Sequence, residues 1–131
     1  MTFTTCLNCM DGRAHLPTIN WIKAHCSCEY VDMITEPGIA ELIAAEDTGL
    51  EPIIKKINIS LEKHGSKEIF IVGHHDCAGC CHSEEDQIKD IEIAVKKLKN
   101  LYPGLQVTGL WVNENWEVEK IYKICDLEET C

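Results

Sequence analysis

Two short segments carry residues whose types and spacing could do chemistry. They are Cys9-Met10-Asp11-Gly12-Arg13 and, about half the chain further on, Gly73-His74-His75-Asp76-Cys77. Thiolate and imidazole are zinc ligands, with bonds of about 2.3 Å to sulfur and about 2.0 Å to nitrogen. Cys9, His74 and Cys77 would supply two thiolates and one imidazole, a set that suits zinc. Three protein ligands leave a fourth position open, which marks a catalytic rather than a structural metal centre. Asp11 is near enough to Cys9 in sequence either to fill that position or to hydrogen-bond whatever does. Arg13 is the chain's one arginine, beside eleven lysines. Lysine serves as a solvated surface charge, whereas arginine holds a carboxylate with two parallel hydrogen bonds in a fixed plane. Its single use, two residues after an aspartate, points to a position that needs such a fork.

For the two segments to meet, the chain must deliver both to one end of one sheet. Residues 3–8 are a β-prone run that ends at Cys9. A helical pattern follows over 16–25, then a second strand over 30–35 closed by Glu36-Pro37-Gly38. Ile39, Leu42 and Ile43 mark a short helix. Thr48 with Glu51 resembles a capping box ahead of Pro52, and Ile53, Ile54, Ile57 and Leu61 form one helical face that Gly65 stops. Ile69-Phe70-Ile71-Val72 is an unbroken apolar run, as expected of a parallel strand buried on both faces. Ser83 and Asp86 open a long helix with acids at its head and Lys96, Lys97 and Lys99 at its tail, which suits the helix dipole. The last strand is expected over 105–112 and a final helix over 116–125.

Strands alternating with helices predict one α/β domain over 1–131, a mostly parallel four-stranded sheet flanked by helices. In such sheets ligands bind beyond the carboxyl ends of the strands. Cys9 and His74 both lie just past such ends, and adjacent strands about 4.8 Å apart would let their side chains share one ion. A single helical turn after Gly73 would point His74 and Cys77 the same way. The competing arrangement is a closed structural site that adds Cys6. Residues three apart in an extended strand point to opposite faces, which argues against Cys6 joining Cys9.

Composition narrows the partners. A net charge of −10 and the lack of a basic stripe argue against nucleic acid. No apolar run approaches the roughly 20 residues of a membrane helix. Nine cysteines, an odd number with no signal-peptide pattern before them, fit a reducing cytoplasm better than a disulfide framework. Cys80, Cys81 and His82 have metal-ligating and redox-active types, but a free-thiol loop is the simpler reading. His75 reads as a loop neighbour of the site rather than a proton shuttle, His15 equally as a cleft-lining residue or a helix start, and Trp111 and Trp116 as packing on the sheet or at a dimer contact.

At Cys9-Met10-Asp11-Gly12-Arg13 and Gly73-His74-His75-Asp76-Cys77, about 60 residues apart and each after a strand, the chain resembles the β-class carbonic anhydrases. It would be a short, divergent member. The resemblance implies a parallel four-stranded core with flanking helices, zinc held by Cys9, His74 and Cys77, and a dyad of Asp11 and Arg13. The implied activity is reversible hydration of CO2 to bicarbonate by zinc-bound hydroxide that the dyad orients. Zinc with two thiolates and a neutral histidine has no local net charge, so it should acidify bound water less than an all-histidine site does. The family builds on dimers, which implies a homodimer or higher homo-oligomer. Where many members carry Asn-Ala-Gly after the second strand, this chain has Glu36-Pro37-Gly38, and its glycine after Cys77 comes at Gly79, one place late. Related members hydrolyse carbonyl sulfide or carbon disulfide with the same ligands. A hydrolase of that kind, or a lapsed zinc-binding and redox-sensing module, is therefore the alternative.

Overall fold

The computed structural model describes residues 1–80 and 82–124 of the protein. Its elements are β1 (Phe3–Asn8), a 3-10 turn (Gly12–Ala14), α1 (His15–His25), β2 (Tyr30–Thr35), α2 (Ile39–Ala45), α3 (Glu51–His64), β3 (Glu68–His74), α4 (Glu84–Leu101), β4 (Gln106–Val112) and β5 (Val118–Ile124). Among the described residues the strands form one sheet in the order β2-β1-β3-β4-β5. The first four run parallel and β5 runs antiparallel to β4.

Alternation along the strands sorts side chains into two cores. Leu7, Ile69, Ile71, Val107 and Trp111 face one side, with Ile39, Ile43, Ile53, Ile57, Ile91, Val95 and Leu98 from α2, α3 and α4 packed on them. Cys6, Phe70, Val72, Leu110 and Val112 face the other, over Ile22 of α1. Both faces of β1, β3 and β4 are therefore dry, which explains their continuous apolar runs. Each fully buried Leu or Ile contributes about 1.5–3 kcal/mol relative to exposure.

Several local expectations hold for the reasons that suggested them. Ser83 caps α4, accepting a hydrogen bond from Asp86 N at 3.2 Å. Gly65 ends α3 at φ 69°, a left-handed conformation that glycine adopts without strain.

Other expectations are corrected. The sheet has five strands rather than four, because the segment read as a helix over 116–125 forms β5; Cys125 itself lies outside the described residues. Asn113 makes the difference: its side-chain oxygen accepts from the backbone N–H groups of Asn115 (2.9 Å) and Glu117 (3.0 Å). That folds 113–117 into a hairpin turn, with Trp116 at φ 58°, and pairs Val118 opposite Val112. The capping box does not form: α3 starts at Glu51, with Leu50 at its N-cap position making no side-chain cap. Nor does a helical turn follow Gly73. β3 continues through His74, and the chain reverses at Asp76, which takes φ 56°.

Candidate metal centre

The sheet order places β1 beside β3, and the chain leaves β1 through α1 toward β2 on one side but leaves β3 through α4 toward β4 on the other. Ligand crevices of open α/β sheets form at such a switch point, beyond the carboxyl ends of the strands. Leu7 pairs with Ile71. Cys9, two residues past Leu7, and His74, three past Ile71, are thereby brought to the same edge.

Local hydrogen bonds fix the loop that carries Cys9. Asn8 is fully buried; its side-chain NH2 donates to Ala14 O (3.2 Å) and its oxygen accepts from Cys9 N (2.8 Å). Nε2 of His15 donates to Cys9 O at 2.7 Å. Thr18 Oγ1 donates to Ala14 O at 2.6 Å, closing the start of α1 under the same loop.

The loop that carries Cys77 is fixed by two glycines. Gly38 and Gly79 touch backbone to backbone: a Cβ on Gly38 would lie 2.5 Å from Gly79 O, and one on Gly79 would lie 2.8 Å from Gly38 N. Gly38 also sits at φ 55°. The glycine that comes one place late in the sequence is therefore the one that meets the start of α2. From this contact the N–H groups of Gly38 and Gly79 both donate to the Cys77 sulfur.

One ligand atom each from Cys9, His74 and Cys77 lies within 4.8 Å of the others. His74 Nδ1 donates to His75 O at 2.7 Å. The other ring nitrogen, Nε2, is thereby left as a lone pair, and it is buried with no hydrogen-bond partner. That is the state of a metal-binding imidazole, whose far N–H is held by a carbonyl or carboxylate. Two sulfurs about 2.3 Å from an ion at a tetrahedral angle stand about 3.8 Å apart. The sulfurs of Cys9 and Cys77 are 3.8 Å apart. Burial, followed by the adjacent Cys9, pushes the Cys77 thiol up to about 11. A cation between the sulfurs would reverse that balance, because a coordinated thiol is deprotonated. The donor set fits a zinc-class ion in its chemistry and its spacing.

Cys6 does not belong to this group. It is fully buried among Phe70, Val72 and Leu110 on one face of the sheet, and burial raises its thiol far above the usual range.

Asp11 and Arg13 form an ion pair beside the centre. Arg13 Nη2 donates to Asp11 Oδ2 at 2.7 Å and Nε to Oδ1 at 3.1 Å, while the Arg13 backbone N–H donates to Oδ1 at 2.9 Å. These bonds hold the Asp11 carboxyl down at about 2. Two partners of Arg13 were not legible as such. Asp76 accepts from Nη1 through its carboxylate (3.3 Å) and from Nη2 through its backbone carbonyl (3.2 Å). The indole of Trp116 lies under the guanidinium, 4.6 Å from ring centroid to Cζ. The signal for Asp76 is its place in the second segment. Trp116 had none, since only the misread hairpin delivers it.

Cys9, His74 and Cys77 also line a cavity with Gly38, Glu41 and Cys80, of about 10 Å³. That is room for about one water. Asp11 and Arg13 are not among the residues that line it.

No curated protein matches the chain. Solved structures do. A β-carbonic anhydrase of the ascomycete Sordaria macrospora, described as tetrameric, superposes with a TM-score of 0.66 at 13% identity, over 95% of this chain and 84% of that one. Isoform I of the Trichomonas vaginalis β-carbonic anhydrase gives 0.61 at 17% identity, over 89% and 81%. The carbonic anhydrase of Streptococcus mutans gives 0.62 at 16% identity, over 90% and 81%. At these identities the likeness shows the fold, an α/β sheet of β-carbonic-anhydrase type. Among sequence families, the one described as "Putative carbonic anhydrase" matches residues 1–122. By that match over nearly its whole length, the chain belongs to this carbonic anhydrase family.

Proposed function

We propose that the protein is a zinc-dependent carbonic anhydrase that interconverts CO2 and bicarbonate, with zinc on Cys9, His74 and Cys77. The observation that carries this reading is the division of labour at the centre. Two thiols and an unpartnered imidazole nitrogen converge, while the nearby Asp11 carboxylate is tied to Arg13 and stays out of the donor set. Bound zinc supplies Lewis-acid activation of water.

The chain's own residues do the rest. Cys9 and Cys77 are held as ligands by the Asn8 and Gly38–Gly79 contacts, and His74 by the carbonyl of His75. Asp11, kept ionised by Arg13, is an acceptor that can orient an O–H donor arriving at the fourth position. Arg13 is locked in turn by Asp76 and Trp116, so Asp11 has one resting geometry. The six described free cysteines suit a reducing cytoplasm, and no helix among the described residues is long and apolar enough to cross a membrane.

The test is to load the protein with zinc and measure CO2 hydration by stopped flow beside carbonyl sulfide hydrolysis. Fast hydration of CO2 with little turnover of carbonyl sulfide is expected. The reverse ranking would make it a hydrolase, and no rate on either with zinc bound would remove the catalytic reading.

A further inference from the structure

The cavity lined by Cys9, His74 and Cys77 is lined also by Glu41, Cys80 and Asp90. Glu41, Cys80 and His82 form a second cluster, each offering one ligand atom within 4.8 Å of the others. The Gly38–Gly79 contact assembles it, because that contact presses the residue before Cys80 against the start of α2, the helix that carries Glu41.

The cluster is built as a ligand set. Nδ1 of His82 is 2.7 Å from Oδ2 of Asp90, a buried carboxylate on α4. In the neutral ring whose N–H goes to that carboxylate, Nε2 is the nitrogen that could coordinate an ion, and it faces Glu41. Metal-binding histidines are oriented by a carboxylate in the same way. Nε2 of His82 and Oε1 of Glu41 are 3.4 Å apart. That is long for a direct hydrogen bond, which runs at about 2.7–3.2 Å. Two nitrogen or oxygen ligands about 2.1 Å from an ion at a tetrahedral angle would stand about 3.4 Å apart. Cys80 completes the set, its thiol hydrogen-bonded to the Glu41 carboxylate.

We propose that Glu41, Cys80 and His82 form a second site for a divalent ion of the zinc class, oriented by Asp90 and sharing a cavity with the first. Sulfur, nitrogen and carboxylate oxygen together favour zinc over magnesium or calcium, which take oxygen ligands. The Glu41 carboxylate and the Cys80 thiolate cancel the charge of the ion, so occupancy removes the negative charge of Glu41 from the cavity wall.

The test counts metal and leaves activity aside. The whole chain is stripped of metal, reloaded with zinc under reductant, freed of excess and assayed by elemental mass spectrometry. Two equivalents per chain are expected for the wild type. E41Q and H82A should each lose one equivalent with an unchanged far-ultraviolet spectrum. D90N should keep both but bind the second about 10–100-fold more weakly in chelator competition, as loss of a ligand-orienting partner does. With cobalt in place of zinc, the second equivalent should add a thiolate charge-transfer band that C80S removes. A wild-type count that neither E41Q nor H82A lowers, whether it is one equivalent or two, overturns the site, whereas a single equivalent that both variants remove assigns the metal to this site and leaves the first empty. Overturning the second site does not bear on CO2 hydration at Cys9, His74 and Cys77, which its own assay decides.

Discussion

Arg13 makes contacts that no lysine could reproduce. It grips both oxygens of Asp11, donates to the carboxylate and carbonyl of Asp76, and lies over the Trp116 ring. A lysine has one compact charge and no planar fork. Arg13→Lys should therefore keep zinc at one equivalent on the first site while CO2 hydration falls about 10–100-fold, the usual cost of losing a partner that orients a metal site. An unchanged rate would remove Arg13 from the mechanism. The pH dependence follows from the same pair. Asp11 is held at about 2, below its ordinary value, so it is ionised at every working pH. Stability from the pair is present above the unfolded carboxyl value, about 4, and is lost as pH falls through about 2. Its titration cannot produce a limb near neutrality. Activity should instead rise between roughly pH 6.5 and 9, as expected of activated water. A flat or falling rate across that range would contradict the proposal.

Among the elements, the two loops that close the centre depend on a contact between glycines far apart in the chain. Gly79→Ala would set a methyl 2.8 Å from both Gly38 N and Pro37 Cβ. Neither atom is the end of a flexible side chain, so the loop carrying Cys77 and Cys80 must move. The expected cost is about 1–3 kcal/mol of stability, the range for overpacked sites. Zinc affinity should fall with it, read by thermal unfolding and chelator competition. Gly12→Ala is the control: its Cβ meets nothing within 4 Å. Equal losses in the two variants would show that the Gly38–Gly79 contact does not position the ligands. Local sequence marked Glu36-Pro37 and the late Gly79 as departures from a family pattern, and it is the Gly38–Gly79 contact, with the left-handed backbone of Gly38, that explains why both positions are glycine.

For the whole molecule, three helices cover one face of the sheet, whereas the buried residues of the other pack on Ile22 of α1. A relative of the same fold is described as tetrameric. We propose that this chain also self-associates, and sedimentation should return at least twice its 14.8 kDa mass; a monomer at assay concentration would refute this. The sequence by itself placed the candidate ligand types just past strands that end at one edge of the sheet. Residue types at Cys9, Asp11, Arg13, His74 and Cys77 are chemical facts, and an apolar run such as Ile69–Val72 can be satisfied only inside a sheet covered on both sides. Helix caps at Ser83 and Gly65 were legible too, because they act within a few residues. What the sequence could not decide depended on partners distant along the chain. The 118–124 segment is a strand because β4 offers it an edge, and Trp116 reaches Arg13 because that hairpin turns. Read along the chain, Cys80 and His82 belong to a free-thiol loop; the tertiary structure adds that Glu41 and Asp90 lie beside them. Ligand sets converge from several elements, and a pattern read along the chain carries no distance between elements until packing supplies it.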